Sequence, residues 1–156
     1  MKAIILYDSR SEGGSTDRLV DAIGQKLAGK GMDVEKARCR AQADYSFISE
    51  FDLVIMGAPV YYLMVSSQLL GALIQSNLSN MLKNKNTALF LACGSPQPMA
   101  ELLYMPQMKM NLQGSRILAE KVFAPAETSD MEVIGEYVDT IYAEWLKEEE
   151  RRGKRK

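Results

Sequence analysis

The sequence predicts one α/β domain, a parallel sheet of five strands covered by helices on both faces, and three observations carry that expectation. Apolar residues recur in short continuous runs, the mark of strands buried on both sides. Strand-like and helix-like patterns alternate five times along the chain. Gly31 and Gly114 stand just before the second and fifth strands, where the chain must turn.

The first strand is read at Ala3 to Tyr7, and the helix after it places Leu19, Ala22, Ile23 and Leu27 on one face. A weaker second strand fits Asp33 to Arg38. The third is Leu53 to Met56, followed by a helix with Leu69, Leu70, Leu73 and Ile74 on one face. Ala88 to Ala92 form the fourth strand, and a looser fifth runs through Ile117, Leu118, Val122 and Phe123. The last helix is the clearest. Ser129 or Asp130 can cap it, and Met131, Ile134, Tyr137, Val138, Ile141 and Trp145 keep the helical period. The domain is expected over residues 1–148, with 149–156 a charged, solvated tail.

A chain of 156 residues suits one domain, and a domain of this size buries about 70% of its unfolded surface. Hydrophobic residues make up 47% and charged residues 25%, a globular composition. No apolar run approaches the roughly 20 residues that span a bilayer. No secretion signal is seen ahead of the first strand, so a cytoplasmic location without membrane contact is expected. Cys39 and Cys93 form no CxxC or zinc-ribbon spacing and are read as reduced thiols. The chain has no His, which removes the commonest general base and metal ligand. No catalytic acid or base and no metal ligand is assigned, and the chemistry is expected to arrive with a cofactor. A net charge of −1 gives no case for nucleic acid.

In doubly wound sheets ligands bind beyond the carboxyl ends of the strands, so the loops after strands one, three and four matter most. Strand one runs into Asp8-Ser9-Arg10-Ser11-Glu12-Gly13-Gly14-Ser15-Thr16, then a helix. Ser, Thr and Gly before a helix N-terminus bring hydroxyls, free N–H groups and the helix dipole to one anion. The plainer reading is that Ser15 or Thr16 caps the helix. The stretch resembles the GSPRKGGNTEKL loop of the NADPH-dependent FMN reductase and iron-sulfur flavoprotein family, with Ser9, Gly13, Gly14, Thr16 and Leu19 in register. Ser9 and Ser11 also resemble the SxTGNT loop of flavodoxins. Asp8 stands for the family's Gly and Glu12 for its Lys. A carboxylate beside a phosphate dianion repels it unless it points to solvent or a cation such as Arg10 or Arg18 intervenes.

After strand three, Gly57-Ala58-Pro59-Val60-Tyr61-Tyr62 and Ser66-Ser67-Gln68-Leu69-Leu70 resemble the GSPVYWGSMSAQLKAFIDR segment of the same family over about twenty positions. Physically, Gly lets backbone approach a ring, Pro stiffens the turn and an aromatic offers a stacking face. Alternatively, Tyr61 and Tyr62 cover the sheet end. After strand four, Cys93-Gly94-Ser95 stand where the family carries a Gly-rich loop, although Cys93 reads first as a small buried strand-end residue. Met99, Leu102, Leu103, Met105, Met108 and Met110 form a Met-rich packing surface, or else a subunit interface or substrate lip.

Three other nucleotide- and phosphate-handling designs of similar layout each lack a residue. A receiver domain needs an Asp where Met56-Gly57 stand, a low-molecular-weight phosphatase needs a Cys in the first loop, and a dinucleotide site needs GxGxxG there. The resemblance implies a flavodoxin-like three-layer sandwich of strand order 2-1-3-4-5 that binds FMN. Ser9, Ser11, Gly14, Ser15 and Thr16 would hold the phosphate, Pro59, Val60, Tyr61 and Tyr62 would flank the isoalloxazine, and Cys93, Gly94 and Ser95 would approach it. NADPH or NADH is the expected transient reductant. A small-molecule acceptor or a redox partner protein is the expected partner, with a homodimer as the oligomer considered. A flavodoxin-type single-electron carrier and a cofactor-free binding module, the latter motivated by Asp8 and Glu12, remain the alternatives.

Overall fold

The computed structural model describes residues 1–9, 13–61, 64–65, 67–94 and 97–154, with the backbone alone at 61, 64, 67 and 97. Its strands are β1 (Lys2–Tyr7), β2 (Asp33–Arg38), β3 (Leu53–Tyr61), β4 (Met64–Val65), β5 (Asn86–Ala92) and β6 (Arg116–Phe123). Five run parallel in the order β2-β1-β3-β5-β6, the predicted 2-1-3-4-5 order. The turns into β2 and β6 use the left-handed backbone predicted for glycine, with φ +89° at Gly31 and +94° at Gly114.

Two features of β3 differ from the sequence reading. The strand does not end at Met56. Gly57, Ala58 and Pro59 pair in register with Phe90, Leu91 and Ala92, so the sheet runs through the motif that the sequence pattern places in a loop. Beyond it, Val60 and Tyr61 pair antiparallel with Val65 and Met64 of β4. Two residues are too few to leave a periodic signal in sequence.

The helices are α1 (Ser15–Ala28), α2 (Ser67–Gln75), α3 (Leu78–Met81), α4 (Gln97–Met99), α5 (Met105–Lys109) and α6 (Met131–Lys154), and a π turn at Ala100–Tyr104 joins α4 to α5. On one face of the sheet, α1 and α6 bury Leu19, Ile23, Leu27, Ile134, Val138 and Ile141 against Ile5, Tyr7, Ile55 and Phe90. On the other, Leu69, Leu73, Leu78, Leu82, Tyr104 and Met108 cover Leu6, Val54, Met56 and Leu91. Each such side chain contributes about 1.5–3 kcal/mol when fully buried. Asp130, one of the two predicted caps, accepts the N–H groups of Glu132 and Val133 at 3.0 and 3.3 Å. The helix then runs past residue 148 to Lys154.

Some predicted apolar positions stay outside. Ile74 is 65% exposed at the end of α2, and Met131 lies exposed in the first turn of α6. The Met-rich segment divides, with Met105 and Met108 buried and Met99, Leu102, Leu103 and Met110 on the surface. No helix among the described residues is long and apolar enough to cross a membrane.

A Cβ built on Gly57 would stand 1.9 Å from Cζ of Phe90, whose ring lies across that position and packs edge-on against Phe123 and Tyr137. Gly57→Ala is therefore expected to destabilise the fold by about 1–3 kcal/mol as an overpacked core does. Equilibrium denaturation measures this, and Phe90→Leu on that background should recover part of the loss.

Candidate functional site

The site is built where the parallel ladder stops. Asp8 N–H donates to the Gly57 carbonyl at 3.1 Å, the last rung between β1 and β3. The next rung would need an N–H at position 59, and proline has none. The two chains are thereby released from each other at the switch point, where β1 connects outward to β2 on one side and neighbours β3 on the other. Strand spacing of about 4.8 Å puts the ends of β1, β3 and β5 within roughly 10 Å of one another.

From the end of β1 the chain passes into α1. Gly14 is the N-cap, in extended conformation, and among the described residues no side chain caps the helix. Ser15 and Thr16 are the first helical residues, so the capping role read for them in sequence does not hold. Arg18 N–H makes the first intrahelical bond, to Gly14, leaving the earlier N–H groups of the turn at the helix's positive end. Ser9 and Thr16 are buried, at 8% and 7% exposure. The Thr16 hydroxyl makes no hydrogen bond to another described residue. Ser15 is exposed and lines a cavity of about 380 Å³ with Arg18, Thr128 and Ser129, between α1 and the turn leading to α6.

Asp8 follows Tyr7 on β1, and alternation sends its side chain to the α2 face, opposite α1. There it borders a cleft of about 570 Å³ with Arg38, Cys39, Arg40, Gln42, Gln68 and Gln75. Burial lifts the Asp8 carboxyl above its ordinary value, while the Ser9 N–H and the charge of Arg38 pull the other way. Burial also pushes the Cys39 thiol up to about 12, with Asp8 adding to the effect, so Cys39 is an inert core residue. Among the described residues the cation at this carboxylate is Arg38; Arg18 lines the cavity beside Ser15 instead, and Arg10 lies outside the described residues. Arg38 ends a mostly charged edge strand and pairs in register with Tyr7, a contact only the sheet order reveals.

Of the remaining predicted positions, Pro59 is buried and Val60 half-buried in β3. Tyr61 ends that strand and its side chain lies outside the described residues, as do Ser11, Tyr62 and Ser95. Cys93 is 6% exposed, donates its N–H to the Phe123 carbonyl at 3.0 Å and belongs to the core; Gly94 beside it is exposed. Gly57 does receive a ring, as expected, but the ring is that of Phe90. Among the described residues no group of acidic and Cys side chains could hold a metal ion.

Residues 4–131 match the family model described as flavodoxin domain. No curated protein matches the chain. Among solved structures, a flavodoxin of Streptococcus pneumoniae TIGR4 is 18% identical over 92% of this chain and 99% of its own, with a TM-score of 0.68. A proposed quinone reductase of Klebsiella pneumoniae is 14% identical over 91% and 85%, with a TM-score of 0.70. RosB, with bound 8-demethyl-8-formylriboflavin-5′-phosphate, is 15% identical over 96% and 81%, with a TM-score of 0.66.

Because the folded chain holds the Asp8 proton more tightly than the unfolded chain, this group's stability is full below the ordinary carboxylate value and is lost as pH rises through the raised one. Asp8→Asn should thus raise the melting temperature at neutral pH and leave it unchanged at about pH 3. The gain is at most about 1 kcal/mol, since a half-open carboxyl keeps much of its hydration. A variant less stable than wild type at neutral pH would contradict the assignment.

Proposed function

Because the chain belongs to the flavodoxin domain family, we propose that it binds FMN at the carboxyl ends of β1, β3 and β5 and works as an NAD(P)H-dependent reductase of a small acceptor. One observation carries the reading: among the described residues the first turn of α1, beside the switch point, has no side-chain cap and keeps a buried threonine whose hydroxyl makes no hydrogen bond. Polar groups left without partners in a half-buried setting fit an anion that brings its own acceptors. Ser9 and Thr16 would meet the phosphate, with Ser11 as the family pattern implies. The extended backbone of Pro59 and Val60 and the exposed Gly94 would border the ring, with Tyr61, Tyr62, Cys93 and Ser95 as the resemblance assigns them. Bound FMN would supply the redox centre, and the chain its binding, orientation and electrostatics.

The riboflavin phosphate bound by RosB and the quinone reductase assignment of the Klebsiella protein support this reading by analogy. The second reading is a flavodoxin-type carrier to a redox protein, favoured by the similarity to the Streptococcus flavodoxin. A net charge of −1 favours the reductase, because carriers that dock electrostatically use strongly charged surfaces. The cytoplasm is the proposed location.

The purified protein is expected to show the visible absorption of a flavin, or to quench FMN fluorescence saturably on titration. NADPH or NADH should then bleach the oxidised flavin band without air. Binding without bleaching assigns the carrier role, and no binding assigns the cofactor-free module. Thr16→Val keeps the buried shape and should weaken FMN about tenfold, the worth of one hydrogen bond to a charged group, with circular dichroism unchanged. Undiminished affinity would remove the phosphate loop from the assignment.

A further inference from the structure

Arg38 belongs to no motif of the sequence, yet it ties the β1 to α1 connection together at both of its described ends. One guanidinium nitrogen donates to the Ser9 carbonyl at 3.2 Å, and the other to the Asp17 carboxylate at 3.2 Å. The same carboxylate oxygen accepts the Gly13 N–H at 2.8 Å. Contacts therefore pass from Ser9 through Arg38 and Asp17 to Gly13, around the segment that the flavin reading makes the phosphate loop. The Asp17 side chain keeps only 13% of its surface open, so the pair is better shielded from solvent than the chain's other surface pairs with both partners a third or more exposed. Beneath it, the guanidinium carbon lies 5.7 Å from the centre of the Tyr7 ring, which restricts its orientation.

The charges around this arginine give it a second task. Asp8 precedes the loop on the α2 face of the sheet and Asp17 follows it on α1, so both carboxylates add negative potential near a phosphate held at the loop. Arg38 is bonded to one of them and acts through space on the other. A lysine could match the charge but not the fork, because one ammonium cannot hold the Ser9 carbonyl and the Asp17 carboxylate in a fixed plane.

We propose that Arg38 is the positioning residue of the phosphate loop: from the sheet edge it fixes the spacing between Ser9 and the first turn of α1, and it offsets the carboxylates that would otherwise repel a phosphate. The inference rests on the flavin reading for its ligand and on hydrogen bonds alone for its clamp.

The test compares FMN with riboflavin, which lacks the phosphate, on the full chain and its Arg38→Ala and Arg38→Lys variants. Arg38→Ala should weaken FMN about tenfold or more and leave riboflavin unchanged, and Arg38→Lys should fall between. Adding Asp8→Asn to Arg38→Ala should restore about threefold or more of the FMN affinity, a larger gain than the same change gives in wild type. Equal losses for both flavins, or an Asp8→Asn effect that is the same in both backgrounds, overturn the proposal. If wild type binds neither flavin, the flavin reading falls while the clamp is judged without ligand: exchange of the Gly13 amide proton should quicken several-fold in Arg38→Ala. Unchanged exchange overturns the clamp as well.

Discussion

The structure turns on the close approach of Phe90 to Gly57. These residues sit opposite each other on β5 and β3, and the phenyl ring fills the place a side chain on Gly57 would take. From there it meets Phe123 on β6 and Tyr137 on α6, whose rings stand edge-on to each other with centroids 5.6 Å apart. Tyr137 in turn donates its buried hydroxyl to the Leu89 carbonyl at 2.7 Å, so the longest helix is pinned to the centre of the sheet. Gly57 is also the last residue of β3 to pair with β1, and its carbonyl accepts the final rung. One position therefore fixes both the packing of the core and the point at which the sheet opens into the site.

That coupling explains what sequence could and could not disclose. Continuous apolar runs such as Ile4-Ile5-Leu6 and Val54-Ile55-Met56 follow from burial on two faces, so the sheet and both helical layers were legible in the residues, while the strand order came from the family resemblance. The motif at Gly57 to Tyr61 was legible as special but not as strand, because glycine and proline are the ordinary signals of a loop. Their reasons are particular: Gly57 admits a ring, and Pro59 stands where its missing N–H ends a ladder. Ile74 and the exposed methionines show the limit of periodicity, which says which residues share a helix face but not how far the neighbouring element extends over it. Arg38 left no local signal at all, since its partners Ser9 and Asp17 are 29 and 21 positions away and only the β2-β1 register brings them together.

The carboxylates at the first loop illustrate how pleat and position decide electrostatics more than composition does. Asp8 and Asp17 are both close in sequence to the predicted anion site, yet they are handled differently. Asp8 is sent across the sheet by the alternation of β1, into a cleft bordered by Arg38 and Arg40. Asp17 sits in the first turn of α1, where a negative side chain is favoured by the helix dipole, and its charge is engaged by Arg38 and the Gly13 N–H. A residue count at this loop would read it as hostile to phosphate. The arrangement in space removes one carboxylate to the opposite face and engages the other.

The same geometry favours the proposed site at this end of the sheet. At the amino ends the backbone groups are taken: Asp33 N–H bonds the Met1 carbonyl and Asp52 N–H the Lys2 carbonyl, so little there is open to a ligand. At the carboxyl ends the ladder between β1 and β3 stops at Pro59, and among the described residues α1 begins without a side-chain cap, so its first N–H groups have no intrahelical partner. Those donors are costly to bury unsatisfied and cheap to leave at an opening. The binding capacity proposed for this edge would therefore follow from where hydrogen bonding within the fold runs out, and Arg38 bridges the two sides of that opening from a strand that carries none of the motif.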